Sequence, residues 1–202
     1  MATFINAATE IINEKGMGSV SIRNVAARAG YSSATLYLYF EDISQLIALA
    51  SVSYLRDYTV EISAGIKEFK DPKSQYLYTW DAFCRHSLKH PAIFLQMFFG
   101  KKKNYLDDIV KKYYSIFPHE LGEISSNALS MLMAGDLHTR NMAILAAYAK
   151  EVNWGEHKAK LVSDMTICYY RSYLEAACET KPDEEAIKAL TEEFLEGVSY
   201  LL

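Results

Sequence analysis

Apolar residues recur along this chain at intervals of three and four, the spacing of one helix face, and no window shows the two-residue alternation of a half-buried strand. Over residues 3–15 the stripe is Phe4, Ala8, Ile11 and Ile12, closed by Lys15 and Gly16. A cation there suits the negative helix end, and a glycine is free to take positive φ. Ile22, Val25, Ala26 and Ala29 form a second stripe over 22–29, and Leu36 and Phe40 a third over 33–39. Ser21 and Asp42 stand where N-caps are needed, before the second helix and before a fourth that runs unbroken from Ile43 to about Gly65. Beyond the break at Lys70-Asp71-Pro72-Lys73, helical windows follow at about 74–90, 92–99, 104–117, 125–152, 157–179 and 183–201. Their separators are Pro91, Gly100 with Lys101 to Lys103, Pro118 to Gly122, Asn153 to Gly155 and Thr180 to Pro182. The pattern predicts an all-α fold without repeats.

Ser21 to Phe40 carries the most local information. Two short helices hinged at Gly30-Tyr31-Ser32 have the helix-turn-helix layout, whose second helix lies in the DNA major groove. Ala26 and Ala29 are small enough for the helices to approach closely, with Leu36 and Phe40 beneath. Ser32, Ser33 and Thr35 bring hydroxyls and unpaired backbone N–H groups to phosphates and base edges. Tyr37 and Tyr39 can donate to phosphate oxygens, or they can pack between helices.

The run from Phe4 to Leu46 resembles the N-terminal domain of the TetR family of bacterial transcriptional regulators. The matching features come in order: Glu14-Lys15-Gly16 after an apolar helix, Ser21-x-Arg23-x-Val25-Ala26, Ala29-Gly30-Tyr31-Ser32, Thr35-Leu36-Tyr37-x-Tyr39-Phe40, and Asp42 to Leu46. The resemblance implies a three-helix DNA-binding domain over residues 1–45, joined by a continuous helix to a helical effector-binding and dimerisation domain over 46–202. It places Arg23 where a base edge is in reach, the commonest specific contact being arginine to guanine; a solvated surface cation is the other reading. Ser33, Ala34 and Ile43 stand where the family often has lysine, glycine and a phosphate-gripping lysine, and there is no basic N-terminal arm.

Charge qualifies that picture. The whole chain of 202 residues carries a net charge of −4. Within residues 1–56, Lys15, Arg23, Arg28 and Arg56 are balanced by Glu10, Glu14, Glu41 and Asp42. Affinity rises with the number of phosphates neutralised, so this head should grip DNA modestly, through hydroxyls and helix ends. With 50% hydrophobic and 23% charged residues the chain lies far from the disordered regime. No apolar run is long enough to span a membrane, and the start lacks the features of a signal peptide, which predicts a cytoplasmic protein. Cys84, Cys168 and Cys178 form no CxxC pair and read as reduced, buried thiols.

In the second part, aromatic and methionine side chains concentrate. Trp80, Phe83, Phe94, Met97 and Phe98 come from two windows; Tyr113, Phe117, Met131 and Met142 come from the next. Such residues line apolar pockets between helices, but they also make ordinary core; the family resemblance favours an effector cavity for an apolar or aromatic compound. Asp136, His138, Arg140 and Asn141 interrupt an apolar helix, where they either orient a polar ligand group, His138 included, or face solvent. The last two helices carry further stripes: Leu161, Met165, Cys168, Ser172 and Ala176 on one, Ile187, Leu190, Phe194 and Val198 on the other. In the family such a pair meets its twin as a four-helix bundle, so these nine residues are the expected homodimer interface; an intrachain hairpin is the alternative.

No nucleophile elbow, phosphate-binding glycine loop or metal-ligand spacing occurs, so neither catalysis nor a cofactor or metal is expected. The reading is a ligand-responsive regulator, a repressor by preference, that binds a palindromic double-stranded DNA operator as a homodimer. The alternative is a helical small-molecule sensing or interaction protein with weakened or lost DNA binding.

Overall fold

The computed structural model describes residues 1–100, 106–121 and 126–202. The described residues are helical, with no strand among them. The α-helices are α1 (Ala2–Lys15), α2 (Ile22–Ala29), α3 (Ser33–Tyr37), α4 (Ile43–Val52), α5 (Arg56–Gly65), α6 (Pro72–Ser87), α7 (Pro91–Phe99), α8 (Leu106–Ile116), α9 (Ser126–Met133), α10 (Leu137–Glu151), α11 (Glu156–Thr180) and α12 (Glu184–Leu201). Helices α1 to α3 form a small head, and α4 packs on α1 on one side and on α7 and α8 on the other. The remaining helices form one body in which α6 and α10 are central: α6 packs against α5, α10 and α12, and α10 against α9 and α11. The core runs without interruption from Phe4 and Ile5 in the head to Phe194 and Val198 in α12. Among the described residues no helix is long and apolar enough to cross a membrane.

Helix starts follow the capping residues. Ser21 accepts from Asn24 N at 3.2 Å, Asp42 from Gln45 N at 2.7 Å, Asp71 from Ser74 N at 2.8 Å and Asp183 from Ala186 N at 2.9 Å. Each such cap is worth about 1 kcal/mol. Asp71 is followed by Pro72 at the first helical position, whose missing N–H costs nothing there.

The structure differs from the sequence pattern in three places. The helix expected over 33–39 stops at Tyr37, because the chain must turn to bury Phe40. The window 125–152 is two helices, since Asp136 accepts from Thr139 N at 2.9 Å and starts α10 afresh. Gly135 there lies against α8: a Cβ on it would sit 2.2 Å from Asp107 N, so only glycine fits. The unbroken helix from Ile43 to Gly65 is a single helical path tightened by a 3₁₀ turn at Ser53–Leu55. Ser53 Oγ donates to Ala50 O at 2.6 Å, and such back-bonding competes with the backbone ladder. Lys101 to Lys103, expected to separate two helical windows, lie outside the described residues, as do Gly122 and the starts of the 104–117 and 125–152 windows.

Candidate functional site

The turn between α2 and α3 is built by Gly30, at φ 76° and ψ 26°. Its N–H donates to Ala27 O at 3.2 Å and the next N–H, of Tyr31, to Ala26 O at 2.9 Å. Together these form the Schellman motif, which requires a left-handed residue and so favours glycine. Tyr31 then packs on Phe4 of α1 with ring centroids 5.3 Å apart. Ser32 caps α3, accepting from Thr35 N at 3.3 Å, with the Ser32 and Thr35 hydroxyls 3.0 Å apart. Leu36 and Phe40 are buried beneath, and burial of each contributes roughly 2 kcal/mol to holding the helix in place.

That anchoring leaves Ser32, Ser33, Ala34, Tyr37 and Leu38 on the outer surface. Tyr37 is 58% exposed and Tyr39 44% exposed. Tyr37 is therefore not packing between helices; Tyr39 leans one face on Phe4, centroids 6.0 Å apart, and keeps the rest in solvent. Arg23 is exposed and makes no ion pair among the described residues. Arg28 is committed elsewhere. Its Nη2 lies 2.6 Å from Glu14 Oε2 and its Nη1 3.2 Å from Glu10 Oε2, clamping α2 to α1. The hydrogen bonds it donates to Glu14 and Glu10 push its pKa up, and those that Glu14 accepts pull the pKa of Glu14 down.

The body holds a small, partly open cavity lined by Tyr58, Tyr76, Thr79, Trp80, Phe83, Met131, Leu137, Arg140, Asn141 and Ile144. Its free volume is about 30 Å³, room for a water or two and far below the roughly 300 Å³ of a typical ligand pocket. A ligand entering it must push side chains aside. Two polar pairs brace the wall: Trp80 Nε1 donates to Asn141 Oδ1 at 2.9 Å, and Asn141 Nδ2 to Ser163 Oγ at 2.9 Å. Tyr58 Oη donates to the Met131 thioether at 3.3 Å, and burial raises its pKa, keeping it protonated.

Of the ten residues expected around a ligand, Trp80, Phe83 and Met131 line this cavity. Phe94 and Phe98 pack behind Phe83 with centroids 5.8 Å away, and Met97 is buried on the same helix. Tyr113 and Phe117 pack on each other outside the cavity lining, with centroids 4.8 Å apart, and Tyr113 Oη donates to the buried Glu120 Oε2 at 2.9 Å. Met142 is half-buried and outside the cavity lining, and His138 faces solvent, its Nδ1 3.0 Å from Asp164 Oδ1. Arg140 and Asn141, open to two readings in the sequence, turn inward, while Asp136 is a helix cap. Tyr58, Tyr76, Thr79, Leu137 and Ile144 were not signalled as site residues. The spacing of Leu137, Arg140, Asn141, Ile144 and Tyr148 on one α10 face would have placed the two polar residues inward.

The terminal helices divide differently from the expected interface. On α11, Leu161 is 51% and Met165 46% exposed, and Cys168, Ser172 and Ala176 lie on the same outward stripe. On α12, Ile187, Phe194 and Val198 are buried in this chain's own core and Leu190 is half-buried. Phe194 stacks on Tyr169 with centroids 5.4 Å apart, so these residues are spent on intrachain packing. Of the three cysteines only Cys84 is buried; Cys168 is exposed and Cys178 intermediate, because the stripe carrying Cys168 faces outward.

Head and cavity are joined through α4 and α5. At the 3₁₀ turn, Tyr54 Oη donates to Asn13 Oδ1 of α1 at 2.5 Å, and the Thr9 and Ser53 hydroxyls are 3.2 Å apart. Tyr54 also meets His90 at the start of α7 edge-on, centroids 4.8 Å apart. One turn further on, Tyr58 reaches the cavity, and Glu61 receives both Arg85 and His86 of α6.

A hydroxyl-bearing helix-turn-helix head on a body that is helical in its described residues and holds a small cavity defines a helix-turn-helix protein. Residues 4–50 match the family model described as bacterial regulatory proteins, tetR family. Over that stretch the chain is similar to the TetR family of bacterial transcriptional regulators. Its fold is similar to that of the transcriptional regulator FadR from Bacillus subtilis in complex with stearoyl-CoA, at 16% identity and a TM-score of 0.63, covering 100% of this chain and 98% of that one. It is similar also to FadR from Thermus thermophilus, a TetR family transcriptional repressor in complex with lauroyl-CoA, at 14% identity, a TM-score of 0.61, and 98% and 92% coverage. RolR in complex with resorcinol matches at 14% identity, a TM-score of 0.60, and 97% and 85% coverage. At these identities the likeness is one of fold. No curated protein sequence matches the chain.

Proposed function

We propose that this regulator is a ligand-responsive repressor that binds a palindromic operator as a homodimer, using Arg23, Ser32, Ser33, Thr35, Tyr37 and Tyr39. The observation that carries the reading is the single helical path from the head through the Ser53–Leu55 turn to Tyr58 in the cavity wall. A 3₁₀ stretch within a helix is a common hinge. A ligand that wedges the cavity open displaces α5, and the turn passes that displacement to the head. Ligand and DNA then weaken each other's binding by the same factor. That structures of FadR hold acyl-CoA and one of RolR holds resorcinol supports a cavity ligand for this chain.

Dimerisation fits the outward α11 stripe, where Leu161 and Met165 would meet a second copy, with exposed α12 residues such as Tyr200, 82% exposed, beside them. The two heads would then sit about one DNA turn apart, roughly 34–36 Å. Selection of bound sequences from random duplexes tests this directly: two-fold symmetric half-sites are expected, and the absence of any enriched sequence would overturn the operator claim.

The second reading, a sensor with weakened DNA binding, draws on one observation. Arg28 is neutralised by Glu10 and Glu14, leaving Arg23 as the cation near α3 without an ion pair among the described residues.

A further inference from the structure

Arg140 is a buried cation. It is 4% exposed, and no carboxylate among the described residues pairs with it. Its Nε donates to Ala134 O at 2.6 Å and its Nη2 to Leu132 O at 2.9 Å, which caps the end of α9. The guanidinium lies over the Phe98 ring, 5.3 Å from its centroid. Its Nη1 is buried and has no hydrogen-bond partner among the described residues, and Arg140 is one of the residues that line the cavity.

A buried unpaired cation is costly, and proteins neutralise or pair such groups. Burial pushes the Arg140 pKa down, yet a guanidinium remains cationic at neutral pH. The acids that reach it electrostatically are engaged elsewhere: Asp136 caps α10, and Asp107 accepts from Gly135 N. Tyr58, which also lines the cavity, spends its hydroxyl on a thioether, a weak acceptor. The other polar liners are better satisfied. Trp80 and Asn141 are paired, and Thr79 Oγ1 donates to Gln75 O at 2.8 Å. The site therefore holds a fixed positive charge and two under-used donors against aromatic walls, with no acidic residue in its lining.

We propose that the cavity binds a small carboxylic acid, its carboxylate against Arg140 Nη1 and Tyr58 Oη and its aromatic or short aliphatic body against Trp80 and Phe83. This rests on reading the cavity as the effector site. Tyr58 and Arg140 come from α5 and α10, so the carboxylate links the helix that leads to the head with α10. The small free volume sets the size: one ring or a short chain, admitted as flexible Met131 moves.

The chain has two tryptophans, and one of them, Trp80, lies in the wall. In a Trp154→Phe background its fluorescence reports on the cavity alone. Benzoate, phenylacetate and hexanoate are titrated beside their neutral amides, without DNA. At least one acid is expected to perturb the emission and bind roughly tenfold or more tighter than its amide, as charge-assisted hydrogen bonds require. Tyr58→Phe should weaken the acid several-fold and the amide by less, because only the carboxylate makes a charge-assisted bond there. Arg140→Met should erase the preference; should that variant fail to fold, the acid–amide comparison in the parent protein and in Tyr58→Phe decides. Binding of none of the acids, or equal binding of acids and amides, overturns the proposal. Because no DNA is present, loss of operator binding leaves this result intact, and an acid that binds without releasing DNA counts against the regulatory reading alone.

Discussion

Arg85 of α6 and Glu61 of α5 meet side by side, Nη2 to Oε1 at 2.5 Å and Nη1 to Oε2 at 3.4 Å. His86 Nε2 adds a third contact to the same carboxylate at 2.8 Å, and Asp81 Oδ2 holds Arg85 from the other side at 2.7 Å. The helix that supplies Trp80 and Phe83 to the cavity is thus fastened to the helix that continues into the head.

Glu61→Gln should loosen that fastening. The carboxylate is partly exposed, so its loss is expected to cost about 1–2 kcal/mol, read as a lower melting temperature. Burial pushes the Glu61 pKa up, but the hydrogen bonds from Arg85 and His86 outweigh it and the net shift is downward. The stability it brings is therefore full above the ordinary glutamate range and is lost as pH falls through its depressed folded value. The melting temperature of Glu61→Gln should fall less steeply than the parent's on acidification below pH about 4.5. Parallel acid profiles would remove Glu61 from the account.

The two arginines of α2 should separate by phenotype. Arg23→Ala is expected to weaken DNA binding about tenfold or more while leaving the melting temperature alone. Arg28→Ala should lower the melting temperature slightly and leave DNA binding unchanged, because Glu10 and Glu14 already hold it. With so few free cations the salt dependence should be shallow, since each neutralised phosphate contributes about −0.9 to the log–log slope. A steep slope would mean that further cations reach the backbone.

For the terminal helices, Leu161→Glu and Phe194→Ala test opposite assignments. Leu161 is outward, so its charge substitution should yield monomers of unchanged fold in sedimentation. Phe194 is buried, so its truncation should cost about 3–5 kcal/mol of stability. A dimer that survives Leu161→Glu at micromolar concentration would move the interface off this stripe.

These contrasts mark what the chain declares locally. Ser21, Gly30, Ser32 and Asp42 act on neighbours within three or four residues, so the head was legible down to its turn. Leu36 and Phe40, four apart, announced which side of α3 is buried and hence that Tyr37 faces out. The cavity was harder to read. Phe94, Phe98, Tyr113 and Phe117 have the same spacing and chemistry as Trp80 and Phe83, and only the packing of α5, α6, α9 and α10 decides which of them border free space. The α12 stripe failed likewise: an apolar face states that something covers it, not whether the cover is a twin or its own chain. The break at Gly135-Asp136 carried a readable signal, an Asp three residues before Thr139, but the apolar run around it masked the cap.

The most direct measurement is the binding of Tyr37→Ala to the sequence selected by the parent protein, followed by fluorescence anisotropy. Tyr37 stands 58% exposed on the outer side of α3 and supports no core. The variant is expected to lose about 1–3 kcal/mol of DNA affinity while melting temperature, sedimentation and the Trp80 response to carboxylates stay as they were. Unchanged DNA binding, or a joint loss of fold and binding, would contradict the account.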